Sequence, residues 1–441
     1  MSEGDVFRPE ACAASSEIVE IAGESLLAYP AGRHETLRAL PLAATVLLPV
    51  WNEAPVLPRA LSSLAAQTWR DFAILIVDNA STDQSHAVAR RFVDAHDNAV
   101  VYHRGHGTGR SSLWNVCLDL AFGAYTKLLE APDVLAPGFM GASVEALESD
   151  RDLSLVRTGV SLLREGRRVE APAFSASRTM TGPGALVQAL TTTNLLGPPS
   201  GQLMRRHTLE VRGLRYRSDL QRGAATELGL QLLVTGDFGY VHEPLVIIDE
   251  DSPRPANQCG ARVCFRDECE ARLSVLRDAR LPLPSRTLIR TLNHLATLFE
   301  TYAGRAEEEG QDAEIERDYA AAVTELSALL QRSVHAPPTV AGARQAEVAR
   351  LLAAAESSFR ARHFEPAARQ LRQLLAVSPC HAVALVELGR VCLACADLDG
   401  ARKYFLSALA LDPTIDLWPL EARAPSAAGS GPQDPFGLAL R

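Results

Sequence analysis

The chain has 441 residues, 47% of them hydrophobic and 22% charged, with a formal net charge of −9. That length admits two or three domains of ordinary globular composition, and the acidic balance excludes a nucleic-acid surface, which needs a basic stripe. No apolar run approaches the roughly 18 residues of a membrane span, the start lacks the basic-then-apolar order of a signal peptide, and the eight scattered cysteines make no disulfide framework, so a soluble, cytoplasmic chain is expected.

Residues 1–40 carry no strong period and are expected to form a loose N-terminal extension. From 41 to 256 short apolar strands alternate with helical stretches: "TVLLPV" (45–50), "FAILIVD" (72–78), "AVVYHR" (99–104) and "YTKLL" (125–129). Such alternation predicts an α/β domain with a mostly parallel sheet, and "SLLREGRRVEAP" predicts a hairpin around Glu165-Gly166. After the first strand, Trp51-Asn52-Glu53 makes a polar turn, and Val56, Leu57, Ala60, Leu61 and Leu64 then recur at helical spacing. A strand that passes into a helix through a polar turn is where open α/β sheets bind ligands.

Residues 257–336 read as helix, and Pro337-Pro338 in "SVHAPPTVAGA" predicts a linker at 337–343. Beyond it, "LLAVSP" and "LALDP" end at Pro379 and Pro413, 34 residues apart, the period of tetratricopeptide helix pairs. Leu388-Gly389, Ala401, Phe405, Ala408 and Pro413 resemble that family's packing positions, so 344–414 is expected to be a repeat region that docks a peptide or protein and packs on the helices of 257–335. Cys392-x-x-Cys395 lies within this helical pattern without a second pair and reads as core packing. The Pro-, Gly- and Ser-rich segment 415–441 is expected to be disordered.

The block from Thr45 to Ser85 resembles the opening of family-2 glycosyltransferases, inverting enzymes of the GT-A fold that use nucleotide-diphosphate sugars. The likeness runs from about Ala44 to Leu245. It implies that Pro49, Asn52 and Glu53 frame the uracil and ribose of a UDP-sugar and that Asp78 accepts a hydrogen bond from the base. Rigid acceptors at strand ends suit a neutral base and a diol. Asp78-Asn79 and Ser81-Thr82-Asp83 also have the composition of turn formers and a helix cap; that reading is preferred for Ser81–Asp83, and ligand binding for Glu53 and Asp78.

The middle of the block keeps the family's frame at Trp114-Asn115, Ala121, Gly123, Tyr125 and Lys127 but departs from it at three places. Pro132 replaces the first of two acids that would hold Mg²⁺ or Mn²⁺, leaving Asp133 and Glu130 as candidate ligands. Ala225 stands where a helix-start acid would deprotonate the acceptor. Glu227 is the remaining candidate base, but two residues turn a helix by about 200°, so it serves only if the helix starts later. Asp249-Glu250-Asp251 stands where the family often carries Arg-x-His, and Arg205, Arg206 or Lys127 are candidates to balance donor phosphate charge. His242 reads as a surface or core residue. The expected function is an inverting glycosyltransferase with a degenerate metal and base site. The alternative is an inactive GT-A domain that binds a nucleotide sugar or a protein.

Overall fold

A computed structural model describes residues 15–192, 195–252, 259–277, 283–334 and 338–417. The expected disordered tail therefore lies outside the described residues from Trp418 onward. Strands β3 (Ala44–Val50), β4 (Phe72–Asp78), β5 (Ala99–Arg104) and β6 (Tyr125–Leu128) run parallel in the order β5-β4-β3-β6. Every residue of β3 and β4 is buried because helices cover both faces. Val46, Leu48 and Val50 pack toward α2 (Leu57–Ala65) and α3 (Ser85–Ala95). Leu47, Leu75 and Val77 belong with Leu113, Trp114 and Cys117 of α4 (Arg110–Leu120). Two covered faces are why these strands read as unbroken apolar runs.

The expectation of a loose N-terminal extension is corrected over its described part. β1 (Glu17–Ile21) and β2 (Glu24–Tyr29) form a hairpin, and β2 pairs antiparallel with β5, setting Leu26 opposite Arg104. The turn residues Ala22 and Gly23 have φ of 49° and 83°, which fits a two-residue hairpin loop. The hairpin covers what would otherwise be the open edge of β5. A helix, α1 (Arg33–Ala39), then leads into β3.

Past β6 the sheet becomes mixed. β11 (Gln202–Arg205) lies antiparallel between β6 and β8 (Leu153–Arg164), and β12 (Asp237–Asp249) runs parallel to β8. β7 (Val134–Leu135) and β10 (Arg178–Met180) join β12, and β9 (Arg167–Ala171) forms the hairpin with β8. Its turn places Glu165 and Gly166 at φ 50° and 69°. Helices α5 (Phe139–Ser149), α6 (Gly182–Thr191), α7 (Arg206–Val211) and α8 (Ala224–Thr235) belong to this half.

The remainder is helical: α9 (Ala261–Leu276), α10 (Ser285–Glu308), α11 (Asp312–Val334), and then α12 (Pro338–Arg360), α13 (Phe364–Val377), α14 (Ala382–Ala394) and α15 (Leu398–Leu411). The linker expected at 337–343 is corrected from 338 on, where α12 is already running. Nor do the C-terminal helices pack only on 257–335. α15 docks on α6 of the sheet domain, where a Cβ on Gly184 would lie 2.7 Å from Ser407 Cβ and the Thr181 amide donates to Ser407 Oγ at 2.8 Å. Lys403, buried in the joint, bridges Asp150 at 2.7 Å and Asp237 at 2.5 Å. No helix of the described residues is long and apolar enough to cross a membrane.

Candidate functional site

Two cavities adjoin at the carboxyl ends of the parallel strands. The first, of 430 Å³, is lined by Pro49, Trp51, Glu53, Asn79, Thr108 and Arg110, among others. The β3 turn that forms its wall is clamped to the β4 turn. The Asn52 amide donates to Ser81 Oγ at 2.9 Å, Glu53 N–H to Ser85 Oγ at 2.8 Å, and Ala54 N–H to Asp83 Oδ2 at 3.0 Å. Asn52, at φ 54°, returns the contact by accepting from the Thr82 amide at 2.8 Å. Its side chain thus builds the turn and is not among the residues that line the cavity, whereas Pro49 and Glu53 do line it. Ser81 and Asp83 act as turn clamps.

Asp78 differs more from expectation. It is fully buried and lines neither cavity. His103 Nδ1 lies 2.7 Å and His86 Nδ1 3.8 Å from its Oδ2. These three ligand-type atoms fall within 4.8 Å of one another. Burial, with His103 adding to it against the pull of Asp78, brings His86 down to about 4. The next residue, Asn79, reaches the cavity wall instead. Its Oδ1 accepts from Arg104 at 2.8 Å and from the Thr108 amide at 3.1 Å, and its Nδ2 donates to the Thr108 carbonyl at 2.9 Å.

The second cavity, of 640 Å³, shares Arg110, Trp114 and Glu130 with the first. Arg110 and Glu130 form an ion pair, and the guanidinium sits 4.3 Å from the Trp114 ring centroid. Further walls come from Pro198, Pro199, Ala225 and Thr226, and from Glu268, Arg272 and Tyr302 of the helical region. Lys127 is fully buried beneath this segment and donates to the carbonyls of Leu128 at 2.7 Å, Ser200 at 2.6 Å and Pro199 at 3.3 Å. Burial brings its ammonium down to about 7. It fastens the chain beside the cavity and does not reach into it.

Four further expectations fail on geometry. Asp133 is buried and its Oδ1 accepts from the Asp249 amide at 3.3 Å, so it does not join Glu130 at the cavity wall. A divalent ion across a diphosphate wants carboxylates facing the cleft; here Glu130 faces it while bound to Arg110 and Asp133 does not face it, so this pair does not fit the ion. Glu227 is buried on the face of α8 opposite Ala225, accepting from Gln231 at 3.2 Å and Ser274 at 3.3 Å; burial raises its pKa. It opens on a separate surface hollow beside Arg217.

Arg205 and Arg206 lie at the wrong end of the sheet. Because β11 runs antiparallel to β6, Arg205 pairs with Tyr125, where β6 begins. Its guanidinium donates to the carbonyls of Leu153 and Leu147 at 2.9 and 2.7 Å, and Arg206 bonds to the Gly123 carbonyl and Glu210. The acids at 249–251 are largely structural. Asp249 is bound by Arg59 at 2.6 Å, and Asp251 accepts from the Glu165 and Gly166 amides of the hairpin turn. His242 Nδ1 lies 2.9 Å from the Phe174 carbonyl on the sheet's far edge.

Sequence reasoning passed over Arg110, Asn79, Glu268 and Arg272. Arg110 had a signal: "HGTGR" places glycines directly before α4, so Thr108 to Ser111 present a helix start to the first cavity, a favourable place for an anion; Asn79 reads from the sequence only as a turn former. The α9 residues had none, because only the fold brings that helix to the cleft.

Residues 45–212 match the family described as "Glycosyl transferase family 2". A "PGL/p-HBAD biosynthesis glycosyltransferase" of Mycobacterium bovis is 30% identical over 136 residues, covering 31% of this chain and 53% of that protein. An "Uncharacterized glycosyltransferase EpsJ" of Bacillus subtilis is 26% identical over 145 residues, covering 33% and 41%. The chain thus spans about half the length, or less, of these relatives. Among solved structures, S. aureus TarS 1-349 in complex with UDP-GlcNAc aligns with a TM-score of 0.54 at 13% identity, over 83% of this chain and 91% of that one. The sheet domain therefore has a GT-A-like fold, contains a segment similar to family-2 glycosyltransferases, and is followed by a helical C-terminal part.

Proposed function

We propose that the protein is an inverting glycosyltransferase that binds a nucleotide-diphosphate sugar, a UDP-sugar in the first instance, in the 430 Å³ cavity and an acceptor in the 640 Å³ cavity. The observation that carries this reading is the common wall of Arg110, Trp114 and Glu130 between two cavities at the carboxyl ends of the strands. Pro49, Glu53 and Asn79 frame the nucleoside, and the start of α4 with Arg110 receives the diphosphate. A guanidinium delivers two parallel hydrogen bonds to phosphate oxygens, so the charge balance derives from Arg110 and no step is routed through an ion at Glu130 and Asp133. In this reading Asp78, the residue before Asn79 of the wall, does not touch the donor and holds His103 instead.

The test is calorimetric titration with UDP, UDP-glucose, UDP-N-acetylglucosamine and GDP-mannose, with and without Mn²⁺, on the wild type and Glu53→Ala. Donor binding weakened by Glu53→Ala supports the proposal, with the anomeric configuration of the product deciding inversion; absence of binding to every nucleotide overturns it. Ala225 and the Arg110–Glu130 pair favour a second reading, a domain that binds nucleotide sugar without turnover. For 344–414 we retain a tetratricopeptide-like repeat that docks a peptide or protein. It is supported by the close approach of α14 to α15, where a Cβ on Gly389 would lie 2.5 Å from the Phe405 ring.

A further inference from the structure

The acceptor-side cavity holds a carboxylate that comes from outside the matched family segment. Glu268 of α9 lines it together with Ala225 and Thr226, and its Oε1 lies 3.5 Å from Thr226 Oγ1. Its placement is built in. The adjacent Asp267 is buried, and its Oδ2 accepts the amides of Gln221 at 2.6 Å and Arg222 at 2.9 Å, just before α8 begins. Gly223 permits this approach, since a Cβ there would stand 2.4 Å from the Asp267 carbonyl oxygen. The residue that locks α9 to the start of α8 and the residue that faces the cavity are therefore consecutive, and fixing one fixes the other. Arg272, one turn on and buried, donates to Glu268 Oε2 at 2.6 Å and to its carbonyl at 2.8 Å. That leaves Oε1 as the oxygen on the Thr226 side.

The other carboxylates of the cavity are worse placed for removing an acceptor proton. In an inverting displacement the acceptor attacks from the side opposite the departing diphosphate, so its base belongs on the acceptor side. Glu130 lines both cavities and is held at their boundary by Arg110. Glu250 is bound to Arg164 at the exposed rim. Glu268 lines the acceptor-side cavity alone of the two.

We infer that Glu268, delivered by α9, is the general base that activates the acceptor in place of an acid at Ala225; this rests on the glycosyltransferase reading of the site. In the step, the acceptor oxygen bonds to the anomeric carbon of the donor while its O–H bond breaks and the proton passes to Glu268. The bond from the anomeric carbon to the diphosphate oxygen breaks with its electron pair, which leaves on the nucleoside diphosphate, and Glu268 later returns the proton to water. The charged and titratable groups facing Glu268 are Arg272 and Cys269 on its own helix, Arg222 before α8, and His294 and Tyr302 on α10.

The experiment uses the full-length protein with UDP-glucose, UDP-N-acetylglucosamine and GDP-mannose as donors and water as acceptor, reading nucleoside diphosphate release alongside calorimetric donor binding. For Glu268→Gln, donor affinity stays within about threefold while kcat falls about 10²- to 10⁴-fold, the usual worth of a general base, and the acidic limb of the kcat profile disappears. Glu268→Asp keeps that limb and recovers part of kcat; it also carries the test if Glu268→Gln melts early. A kcat for Glu268→Gln within about threefold of wild type overturns the inference. Donor binding by a wild type that releases no nucleoside diphosphate overturns it too and leaves the donor site standing. A wild type that binds no donor removes the glycosyltransferase reading and this inference with it.

Discussion

Arg110 and Glu130 form an ion pair on the wall shared by the two cavities, with side chains only 12% and 13% exposed. One residue opens α4 and the other follows β6, so the pair ties the helix start to the strand end where the two cavities meet. Both side chains line both cavities, and on the proposed reading the cation is the group that receives the donor diphosphate. Arg110→Ala is expected to weaken UDP-sugar binding at least tenfold, a loss of about 1.4 kcal/mol. Glu130→Gln should leave it equal or tighter by freeing the guanidinium for phosphate. Titration of both variants at one ionic strength checks the asymmetry; equal weakening by the two would refute it.

The burial of Asp78 under His103 and His86 separates structural from ligand roles at the proposed nucleotide site. Asp78→Asn leaves two packed imidazoles without their anion and should cost about 1–3 kcal/mol of stability. Glu53→Ala, at the half-buried turn, should cost much less stability but more donor affinity. Urea unfolding set beside calorimetry on the two variants gives the comparison, and the reverse ranking would return Asp78 to direct contact with the base.

Lys403 anchors the C-terminal helices to the sheet domain through Asp150 and Asp237. Asp150 keeps 27% of its side chain in solvent, so the loss in Lys403→Met is discounted from the several kcal/mol of a fully buried pair to about 1–3 kcal/mol. Hydrogen exchange should rise across α15 and α6 together, while α2 to α4 stay protected. Unchanged exchange in α6 would show that the Gly184–Ser407 contact holds the joint without the ion pairs.

Acid should destabilise the fold before carboxylates protonate. Burial, then His103 and Arg90, overcomes Asp78 to bring His86 down to about 4, and burial, then Arg272, overcomes Glu268 to do the same for His294. Both folded values lie below the ordinary 6.5, so between pH 6.5 and about 4 the unfolded chain binds protons that the folded chain does not. Stability is full above 6.5 and falls through that window, by up to about 2 kcal/mol per histidine at pH 5. Urea unfolding at pH 7 and pH 5 measures this, and His294→Gln should flatten the slope by its share.

Much of the scaffold was legible in the residues. β3 and β4 lie within a residue of the apolar runs because a strand buried on both faces must be apolar throughout. The turn at Trp51–Glu53 was marked by polarity, the hairpin at Glu165-Gly166 by its glycine, and the opposed directions of Ala225 and Glu227 by the 3.6-residue period of a helix. The alternating "EIVEIAGESLLAY" also contained the N-terminal hairpin, but nothing local marks β5 as an edge awaiting a partner.

What the sequence by itself determined was periodicity: which stretches are strands or helices, and where a polar turn falls at a strand end. The tertiary structure alone decided which side chains share a volume. Arg205 and Arg206 left the site because β11 runs antiparallel to β6. Asp78 left it because His103, 25 residues on, claims its carboxylate. Glu268 entered because Asp267 caps the approach to a helix more than 40 residues earlier. Period is set by the backbone geometry of neighbouring residues, whereas electrostatic and hydrogen-bond partners depend on distances of a few ångströms between residues far apart in the chain, and only chain direction and packing set those distances.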